Sequence, residues 1–188
     1  MPKGKEYDIS IEAEGYEDVV SNLAIPDEPF EESQEVVEIK TVEMPREYLI
    51  NKTIFFDFDK AETNKKQTEI YYEVLNIIID YFENNPDAKI EIGGHCDSKG
   101  PEVYNQYLSE ERAKFVKQYL VDNKIPEQNL IIVGYGENHP IAINEYPDGR
   151  DCPDGRKFNR RVDFKVISNG LDKLIFKPVG VPDELTIK

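Results

Sequence analysis

The stretch EIYYEVLNIIIDYFENNPDAKIEIGGHCDSKG, at residues 69–100, decides the fold of this chain. Its first half carries apolar side chains at helical spacing, which predicts a helix over residues 66–83 with one broad apolar face. Pro86 marks the end of that helix, because proline cannot continue the backbone hydrogen-bond ladder. Alternating apolar and polar residues then predict a short strand at 89–93, and glycines lead from it into a polar loop.

Strands and helices alternate on both sides of this stretch. The flanking elements are, in chain order, a strand at 54–59, a helix at 103–123, a strand at 130–133, a long polar loop at 137–158 and a strand at 162–166. Strands joined through helices imply crossover connections and at least partly parallel pairing. The predicted fold class is α+β, a two-layer α/β sandwich in the order β-α-β-α-β-β. We expect a four-stranded mixed sheet with both helices on one face.

The two ends of the chain differ from its central part. Residues 1–46 read as a β-rich segment, because apolar residues alternate with polar ones at 7–11 and again at 35–42. This segment resembles the closing strands of a small β-sandwich module, so we expect it to be a fragment of one within a longer protein. We place the main domain at 47–168 and a C-terminal tail with little periodicity at 169–188.

Composition argues against several classes of partner. The 188 residues carry a formal net charge of -15. That balance does not suit a broad nucleic-acid or anionic-membrane surface, because phosphate binding needs clustered Lys and Arg. No apolar run approaches the ~20 residues of a transmembrane helix, and the first residues do not resemble a signal peptide. We therefore expect neither nucleic-acid binding nor a membrane span in this chain.

The densest polar cluster follows the predicted strand at 89–93 and includes Asp97. Asn105 and Arg112 lie two turns apart on the next predicted helix and therefore share one face. An acid, an amide and a guanidinium that converge make a pocket for a zwitterion. The carboxylate binds an ammonium, and the guanidinium binds a carboxylate through two parallel hydrogen bonds. The alternative is a structural salt bridge between Asp97 and Arg112, of a kind that is common and individually weak.

Several stretches, taken together, resemble the signature of the OmpA-like peptidoglycan-binding family. In order they are Phe56-Asp57-Phe58-Asp59-Lys60-Ala61, Gly94-His95-Cys96-Asp97-Ser98-Lys99-Gly100, Tyr104-Asn105, Leu108-Ser109-Glu110-Glu111-Arg112-Ala113, Gly134-Tyr135-Gly136-Glu137 and Asn159-Arg160-Arg161-Val162. Their order and spacing are similar to those of the family from residue 53 to residue 167. The chain departs from the pattern at Cys96, where the family usually has threonine.

The resemblance implies non-covalent binding of the peptidoglycan stem peptide, whose meso-diaminopimelate is held by Asp97 and Arg112. It also implies that Asn105 lines the site. The expected location is the periplasm of a Gram-negative bacterium, in association with the outer membrane. There the domain would anchor an assembly to the cell wall and contact other envelope proteins.

The resemblance further implies that one arginine of the Asn-Arg-Arg-Val stretch lines the site. Strand alternation puts Arg161 on the side of its strand opposite Val162, so we favour Arg161 over Arg160 for this role. Arg160 remains a second candidate. Asp57, in the first of the quoted stretches, is a further candidate ligand-binding residue.

An enzyme or a metal site would have to use His95, Cys96 and His139 together with other acids and thiols. A zinc site needs three or four such ligands, and adjacent strand residues such as His95 and Cys96 point to opposite faces. We therefore predict no catalytic residue, no metal and no cofactor. A module that recruits protein partners is a third hypothesis, and it does not exclude wall binding.

The two cysteines lie in segments that should approach the same pocket edge. Cys96 is in the polar loop at 94–100, the ligand loop, and Cys152 is in the long polar loop just before the Asn-Arg-Arg stretch. An exported domain matures in an oxidising compartment, where two thiols this close would pair. We therefore predict a disulfide between Cys96 and Cys152. The alternative is two unrelated thiols, with Cys96 buried and Cys152 free on the surface.

Overall fold

A computed structural model of the chain describes residues 6–11, 19–24 and 45–187. The chain divides into two compact units, Met1–Pro45 and Arg46–Lys188. The second unit begins next to the position at which the sequence places the start of the main domain.

The first unit contains a pair of antiparallel strands, β1 (Glu6–Ile11) and β2 (Val19–Ala24). The strand predicted from the alternation at 7–11 is therefore confirmed. The alternating stretch at 35–42 lies outside the described residues. The assignment of this unit to a β-sandwich module stays a prediction.

The second unit combines short strands with helices. Its strands are β3 (Glu47–Ile50), β4 (Ile54–Phe55), β5 (Lys89–Gly94), β6 (Leu130–Gly134), β7 (Arg161–Ser168) and β8 (Lys173–Phe176). Its helices are α1 (Lys65–Asn84), α2 (Glu102–Asp122) and α3 (Pro153–Asn159).

Four of these strands form one mixed sheet in the spatial order β4-β7-β5-β6. β5 and β6 are parallel, whereas β7 runs antiparallel to both β4 and β5. The parallel pair is joined through α2, as a crossover connection requires. The predicted α+β class and the four-stranded mixed sheet are therefore confirmed.

The hydrophobic core lies between one face of this sheet and the helices α1 and α2. The apolar face of α1 supplies Leu75, Ile78 and Tyr81, which are all fully buried, and removal of their apolar surface from water stabilises the fold. The two helices contact each other, because the ring of Tyr71 on α1 packs edge-on against that of Tyr119 on α2 at a centroid distance of 5.5 Å. Among the described residues, no helix is both long and apolar enough to span a bilayer.

The C-terminal stretch forms part of the fold instead of a tail. β8 pairs in parallel with β3, and residues 183–185 form a 3-10 turn. Just before β8, the carboxylate of Asp172 accepts hydrogen bonds from the backbone N–H of Arg46 at 2.8 Å and the side chain of Asn85 at 3.1 Å. The expected tail at 169–188 therefore does not match the structure. Periodicity did not reveal β8 because a strand of four residues shows too few alternations.

α3 lies inside the stretch 137–158 that the sequence predicts to be a loop. Pro153 stands at its start and Asp154 in its first turn, both of which favour a helix N-terminus. At its other end, the side-chain oxygen of Asn159 accepts hydrogen bonds from the backbone N–H groups of residues 141–142 at 2.9 and 3.0 Å. The loop prediction is wrong here because a helix of 7 residues is too short for an apolar stripe.

Gly94 sets how closely α2 approaches the sheet. A Cβ atom at this position would lie 1.8 Å from the backbone oxygen of Ser109. Gly134, its neighbour on β6, would carry a Cβ atom 2.8 Å from the hydroxyl of Ser109. The first half of α2 therefore packs directly on the strand backbones, and both helices lie on the same face of the sheet.

We predict that Gly94→Ala destabilises the protein by roughly 3 kcal/mol, because overpacking against rigid backbone forces the helix and sheet apart. Gly180→Ala is the matched control, since a Cβ atom there would meet nothing within 4 Å. Urea unfolding followed by circular dichroism measures both variants. Equal stability of Gly94→Ala and the parent chain would contradict the direct contact between helix and sheet.

Candidate ligand-binding site

A pocket of about 240 Å³ opens at the end of β5, between the loop that follows this strand and the first turns of α2. Four of the predicted site residues line it, namely Asp97, Asn105, Arg112 and Arg160. Its other lining residues are Phe58, Asp59, Cys96, Lys99, Gly100, Pro101, Tyr104 and Leu108. The structure thus brings the predicted acid, amide and guanidinium to one place.

Asp97 is a buried carboxylate, and two arginines lie close to one of its oxygens. Its Oδ2 accepts a hydrogen bond from Arg160 Nη1 at 2.7 Å and lies 3.6 Å from Arg156 Nε. Its Oδ1 accepts one from the backbone N–H of Lys99 at 3.0 Å. The two arginines offset the cost of burying the negative charge. Because a carboxylate oxygen has two lone pairs, Oδ1 can still accept a further hydrogen bond.

Arg112 is a fully buried guanidinium that binds backbone carbonyl groups. Its Nε donates to the carbonyl oxygen of Lys60 at 2.8 Å, and its Nη1 donates to that of His95 at 2.6 Å. Its Nη2 donates to the carbonyl oxygen of Asp57 at 3.3 Å, and Nη1 also contacts Cys96 Sγ at 3.3 Å. Desolvation lowers the pKa of Arg112, and these carbonyl dipoles compensate its buried charge.

The bonds of Arg112 decide between the two interpretations of the Asp97–Arg112 pair. Asp97 pairs with Arg160 and approaches Arg156, whereas Arg112 donates to backbone oxygens. The structural salt bridge between Asp97 and Arg112 is therefore not formed. A bidentate bond from Arg112 to a ligand carboxylate does not fit either, because only one N–H group, on Nη2, has no hydrogen-bond partner among the described residues.

Asn105 joins the ligand loop to α2. Its Nδ2 donates to the carbonyl oxygen of Asp97 at 3.2 Å and also to the carboxylate of Glu137. Between the two segments, Gly100 has a φ of +104°, which a glycine adopts without strain. The amide therefore holds the shape of the pocket wall.

Two aromatic side chains form the outer rim of the pocket. Phe58 is 59% exposed and Tyr104 is 43% exposed. The Tyr104 hydroxyl donates to Asp59 Oδ1 at 2.5 Å, and this hydrogen bond raises the pKa of Tyr104. Sequence reasoning did not single out Phe58 or Tyr104, although both stand in the quoted signature stretches. It also missed Arg156, which carried no signal because its segment reads as a loop.

Arg160, and not Arg161, reaches the pocket. Arg161 does lie opposite Val162 on β7, as alternation predicts, but that side is the outer face of the sheet, away from α1 and α2. There its Nη2 donates to Asp163 Oδ2 at 3.0 Å and lies 3.4 Å from His95 Nε2. Arg160 precedes the strand and points to Asp97 instead. The preference for Arg161 therefore disagrees with the structure, because the outer face does not adjoin the pocket.

Asp57 contributes its backbone to the site, and its carboxylate lies elsewhere. The carboxylate is exposed and accepts hydrogen bonds from the side chains of Asn64 at 2.7 Å and Gln67 at 3.2 Å, where α1 begins. Only the carbonyl oxygen of Asp57 contacts Arg112. The structure therefore does not bring the Asp57 carboxylate together with Asp97.

Both cysteines are free thiols and both are buried, so the predicted disulfide is not formed. Cys96 Sγ donates to the carbonyl oxygen of Asn105 at 3.3 Å, and burial raises its pKa to about 11. Cys152 instead packs in a small separate cluster with Ala142 and Leu185. The two segments do approach each other, through an ion pair between Lys99 and Asp151 at 3.1 Å. Cys96 nevertheless lines the pocket, whereas Cys152 packs in the separate cluster, which explains why proximity of the loops does not pair them.

The residues that a metal or thiol enzyme would need lie on both sides of the sheet. Cys96 lines the pocket, whereas the ring of His95 stacks on Tyr135 on the outer face at a centroid distance of 5.0 Å. Within residues 6–11, 19–24 and 45–187, no group of three or more His, Cys, Asp or Glu side chains is placed to hold a metal ion.

We predict that Arg112→Ala lowers stability by about 3 kcal/mol or more, because it leaves a cavity and several buried carbonyl oxygens without donors. Lys114→Ala, on the exposed side of the same helix, removes an equal charge and should change stability little. Urea unfolding of both variants measures the difference. Parent-like stability of Arg112→Ala would show that this guanidinium does not hold the backbone together.

We also predict that both thiols titrate with a thiol reagent after denaturation without reductant. In the native protein both should react slowly because both are buried. In addition, the raised pKa of Cys96, about 11, leaves little thiolate on that residue at neutral pH. Mass spectrometry after alkylation counts the modified cysteines. A chain that remains unmodified until reductant is added would contradict the free thiols.

The site can be compared with known proteins. The chain is 42% identical over 118 residues to the photosystem I chlorophyll a apoprotein A2 of Gloeobacter violaceus, a match that covers 63% of this chain and 13% of that protein. It is 40% identical over 111 residues to outer membrane porin F of Pseudomonas fluorescens, covering 59% and 31%. It is 40% identical over 95 residues to the peptidoglycan-binding protein ArfA of Mycobacterium tuberculosis, covering 50% and 27%. The chain thus spans less than a third of each of these relatives.

A solved structure shows the same fold. The peptidoglycan-associated lipoprotein of Burkholderia pseudomallei superposes with a TM-score of 0.52 at 24% identity, over 62% of this chain and 90% of that one. The sequence model of the OmpA family matches residues 55–152, which include the ligand loop, α2 and most of the pocket lining. This match covers more than half of the sequence, and the chain belongs to the OmpA family.

Proposed function

We propose that the pocket around Asp97 binds peptidoglycan non-covalently, through the diaminopimelate of the stem peptide. Family membership supports binding to the cell wall, because a relative that is 40% identical is named a peptidoglycan-binding protein. The observation that carries the proposal is the buried Asp97 carboxylate at the base of an open pocket that also contains Arg112 and Arg160. A pocket with both charges suits a ligand that is itself a zwitterion.

Diaminopimelate ends in an amino group and a carboxylate on the same carbon, so both charges must be met within a short distance. Asp97 Oδ1 has only the backbone N–H of Lys99 as a partner among the described residues and can accept from the ammonium. The remaining N–H of Arg112 and the guanidinium of Arg160 are the donors for the carboxylate. Arg160 can bind the Asp97 carboxylate and the ligand carboxylate together, because only its Nη1 is bonded to Asp97 Oδ2.

The size and rim of the pocket favour one amino-acid side chain. Its volume of about 240 Å³ is below the ~300–1,000 Å³ of pockets that enclose drug-sized ligands. Phe58 and Tyr104 offer apolar surface to the methylene groups of the diaminopimelate side chain, while the rest of the peptide lies outside. The pocket would therefore recognise the stem peptide through the zwitterionic end of its diaminopimelate side chain.

The proposed role is anchoring without catalysis. Binding through Asp97 breaks no bond in the ligand, and the contacts of Arg112 hold the pocket walls in place before the ligand arrives. One relative is named an outer membrane porin, which supports a location in the periplasm of a Gram-negative bacterium, associated with the outer membrane. The protein would there connect an envelope assembly to the wall and could contact other envelope proteins.

We predict that Asp97→Asn weakens binding of a diaminopimelate-containing stem peptide at least tenfold. The neutral amide loses a charge-assisted hydrogen bond of about 1.5–3 kcal/mol to the ammonium. Asp154→Asn is the matched control, because it removes an equal charge from an exposed position on α3. A stem peptide with lysine in place of diaminopimelate lacks the second carboxylate and should bind the parent chain more weakly. Isothermal titration calorimetry measures each affinity.

The proposal fails if Asp97→Asn, shown by circular dichroism to be folded, binds the peptide as tightly as the parent chain. If the parent chain bound the lysine peptide as tightly as the diaminopimelate peptide, diaminopimelate would not be the recognised group. Binding to peptidoglycan through another group would then still be possible. Release of soluble fragments from purified cell-wall sacculi would instead indicate an enzyme.

A further inference from the structure

A second and larger cleft, of about 490 Å³, opens along the edge of β7 and onto the outer face of the sheet. It is lined by β7 from Arg161 to Lys165 and by residues 176–179. The other lining residues are Ile50, Lys52, Thr53, Glu91, His95, Tyr135, His139 and Ile141. None of the described residues that line this cleft also lines the Asp97 pocket. His95 and Arg161 are next in sequence to the pocket residues Cys96 and Arg160. The proposed wall binding therefore makes no use of it.

The cleft exists because β4 accompanies β7 for only two residues, Ile54 and Phe55. The chain before β4 turns away from β7, since residues 47–50 pair with β8 instead. Beyond Val162, the β7 edge has no strand partner on this side within the described part of the chain. A strand edge of this kind is a template for pairing with another extended segment.

The backbone of β7 directs hydrogen-bonding groups into the cleft. The carbonyl oxygen of Arg161 accepts from the N–H of His95 and therefore faces β5. The backbone N–H and C=O groups of successive residues in an antiparallel strand point to alternate edges. Those of Val162 therefore point to the opposite edge, where Val162 pairs with Ile54 on β4. Those of Phe164 point to the same edge as those of Val162, at a position where β4 no longer accompanies β7. Phe164 thus offers one N–H donor and one carbonyl acceptor to a new strand.

The walls of the cleft are apolar beside this edge and polar on the outer face. The ring of Phe164 stacks on that of Phe176, with centroids 5.3 Å apart and an interplanar angle of 17°. On the outer face, Asp163 Oδ2 lies 3.0 Å from both Arg161 Nη2 and His95 Nε2. An extended segment that entered the cleft would therefore contact apolar rings on one side and polar groups on the other.

The charge of the cleft is opposite to that of the protein. Besides His95, His139 and Tyr135, the ionisable lining residues are the basic Lys52, Arg161, Lys165 and Lys177 and the acidic Glu91 and Asp163. Lys52 pairs with Glu73, and Arg161 pairs with Asp163. Lys165 and Lys177 are exposed and form no ion pair with any described residue. The rim is therefore locally positive on a chain of formal net charge -15, which selects for an anionic occupant.

We propose that this cleft is a second binding site, which takes an extended acidic segment of a partner protein by strand addition to β7. Backbone hydrogen bonds to Phe164 provide the pairing, and alternate side chains of the segment have different neighbours, as in other cases of β-strand addition. Apolar side chains of the segment contact the Phe164–Phe176 wall. Its acidic side chains face Lys165 and Lys177. This inference goes beyond wall binding and does not depend on it.

The test uses the full chain and a synthetic pentapeptide of alternating valine and glutamate with blocked ends. In ¹⁵N-labelled protein, we expect the peptide to shift the amide resonances of β7 around Phe164 in a saturable manner. The double variant Lys165→Glu/Lys177→Glu should bind at least tenfold more weakly. The double variant Lys89→Glu/Lys173→Glu makes the same charge change at exposed strand positions outside the cleft and should bind like the parent chain.

A fully N-methylated form of the same peptide keeps the side chains and cannot donate backbone hydrogen bonds, so it should not bind. Strand addition is overturned if the methylated peptide binds equally well, or if no β7 resonance shifts at millimolar peptide. Shifts confined to the Asp97 loop would overturn it too. The Lys165→Glu/Lys177→Glu variant should still bind sacculi like the parent chain, so failure of this proposal and failure of wall binding give different results.

Discussion

The arrangement of the site depends on one buried guanidinium. Arg112 donates hydrogen bonds to carbonyl oxygens from two separate segments, one that follows β4 and one at the end of β5. A buried cation is costly unless its donors are satisfied, so these segments have to converge on α2. Their convergence forms the pocket, since Phe58 directly follows Asp57, and Asp97 lies two residues after His95.

The same backbone also explains why the pocket and the outer cleft lie on opposite faces of the sheet. At the end of β5, His95 lies on the outer face, while its neighbour Cys96 lines the pocket on the helix side. At the start of β7, Arg160 and Arg161 separate in the same way. Each pair of neighbours therefore supplies one side chain to each cleft. The pocket is the smaller of the two, which suits a single zwitterionic group, and the outer cleft is larger and follows a strand edge.

The sequence predicts the parts of this fold in which a pattern extends over enough residues. The apolar stripe of α1 and the short strand β5 follow from periodicity, and the convergence of Asp97 with Asn105 follows from spacing and family resemblance. β3, β8 and α3 could not be found in this way, because each has 7 residues or fewer and is held by long-range contacts. Such contacts depend on the whole fold and leave little local signal.

Arg160 and Arg161 show in more detail what a local pattern contains. Alternation gives the correct face for Arg161, but only the fold shows that the pocket adjoins the residue before β7. The central claim, that this pocket receives diaminopimelate, is tested most directly by an NMR titration with a diaminopimelate-containing muropeptide. The account predicts shifts at Asp97, Asn105 and the Arg160 Nε–H, with Tyr135 unaffected. Shifts at Tyr135 and its neighbours on the outer face, with none at Asp97, would contradict it.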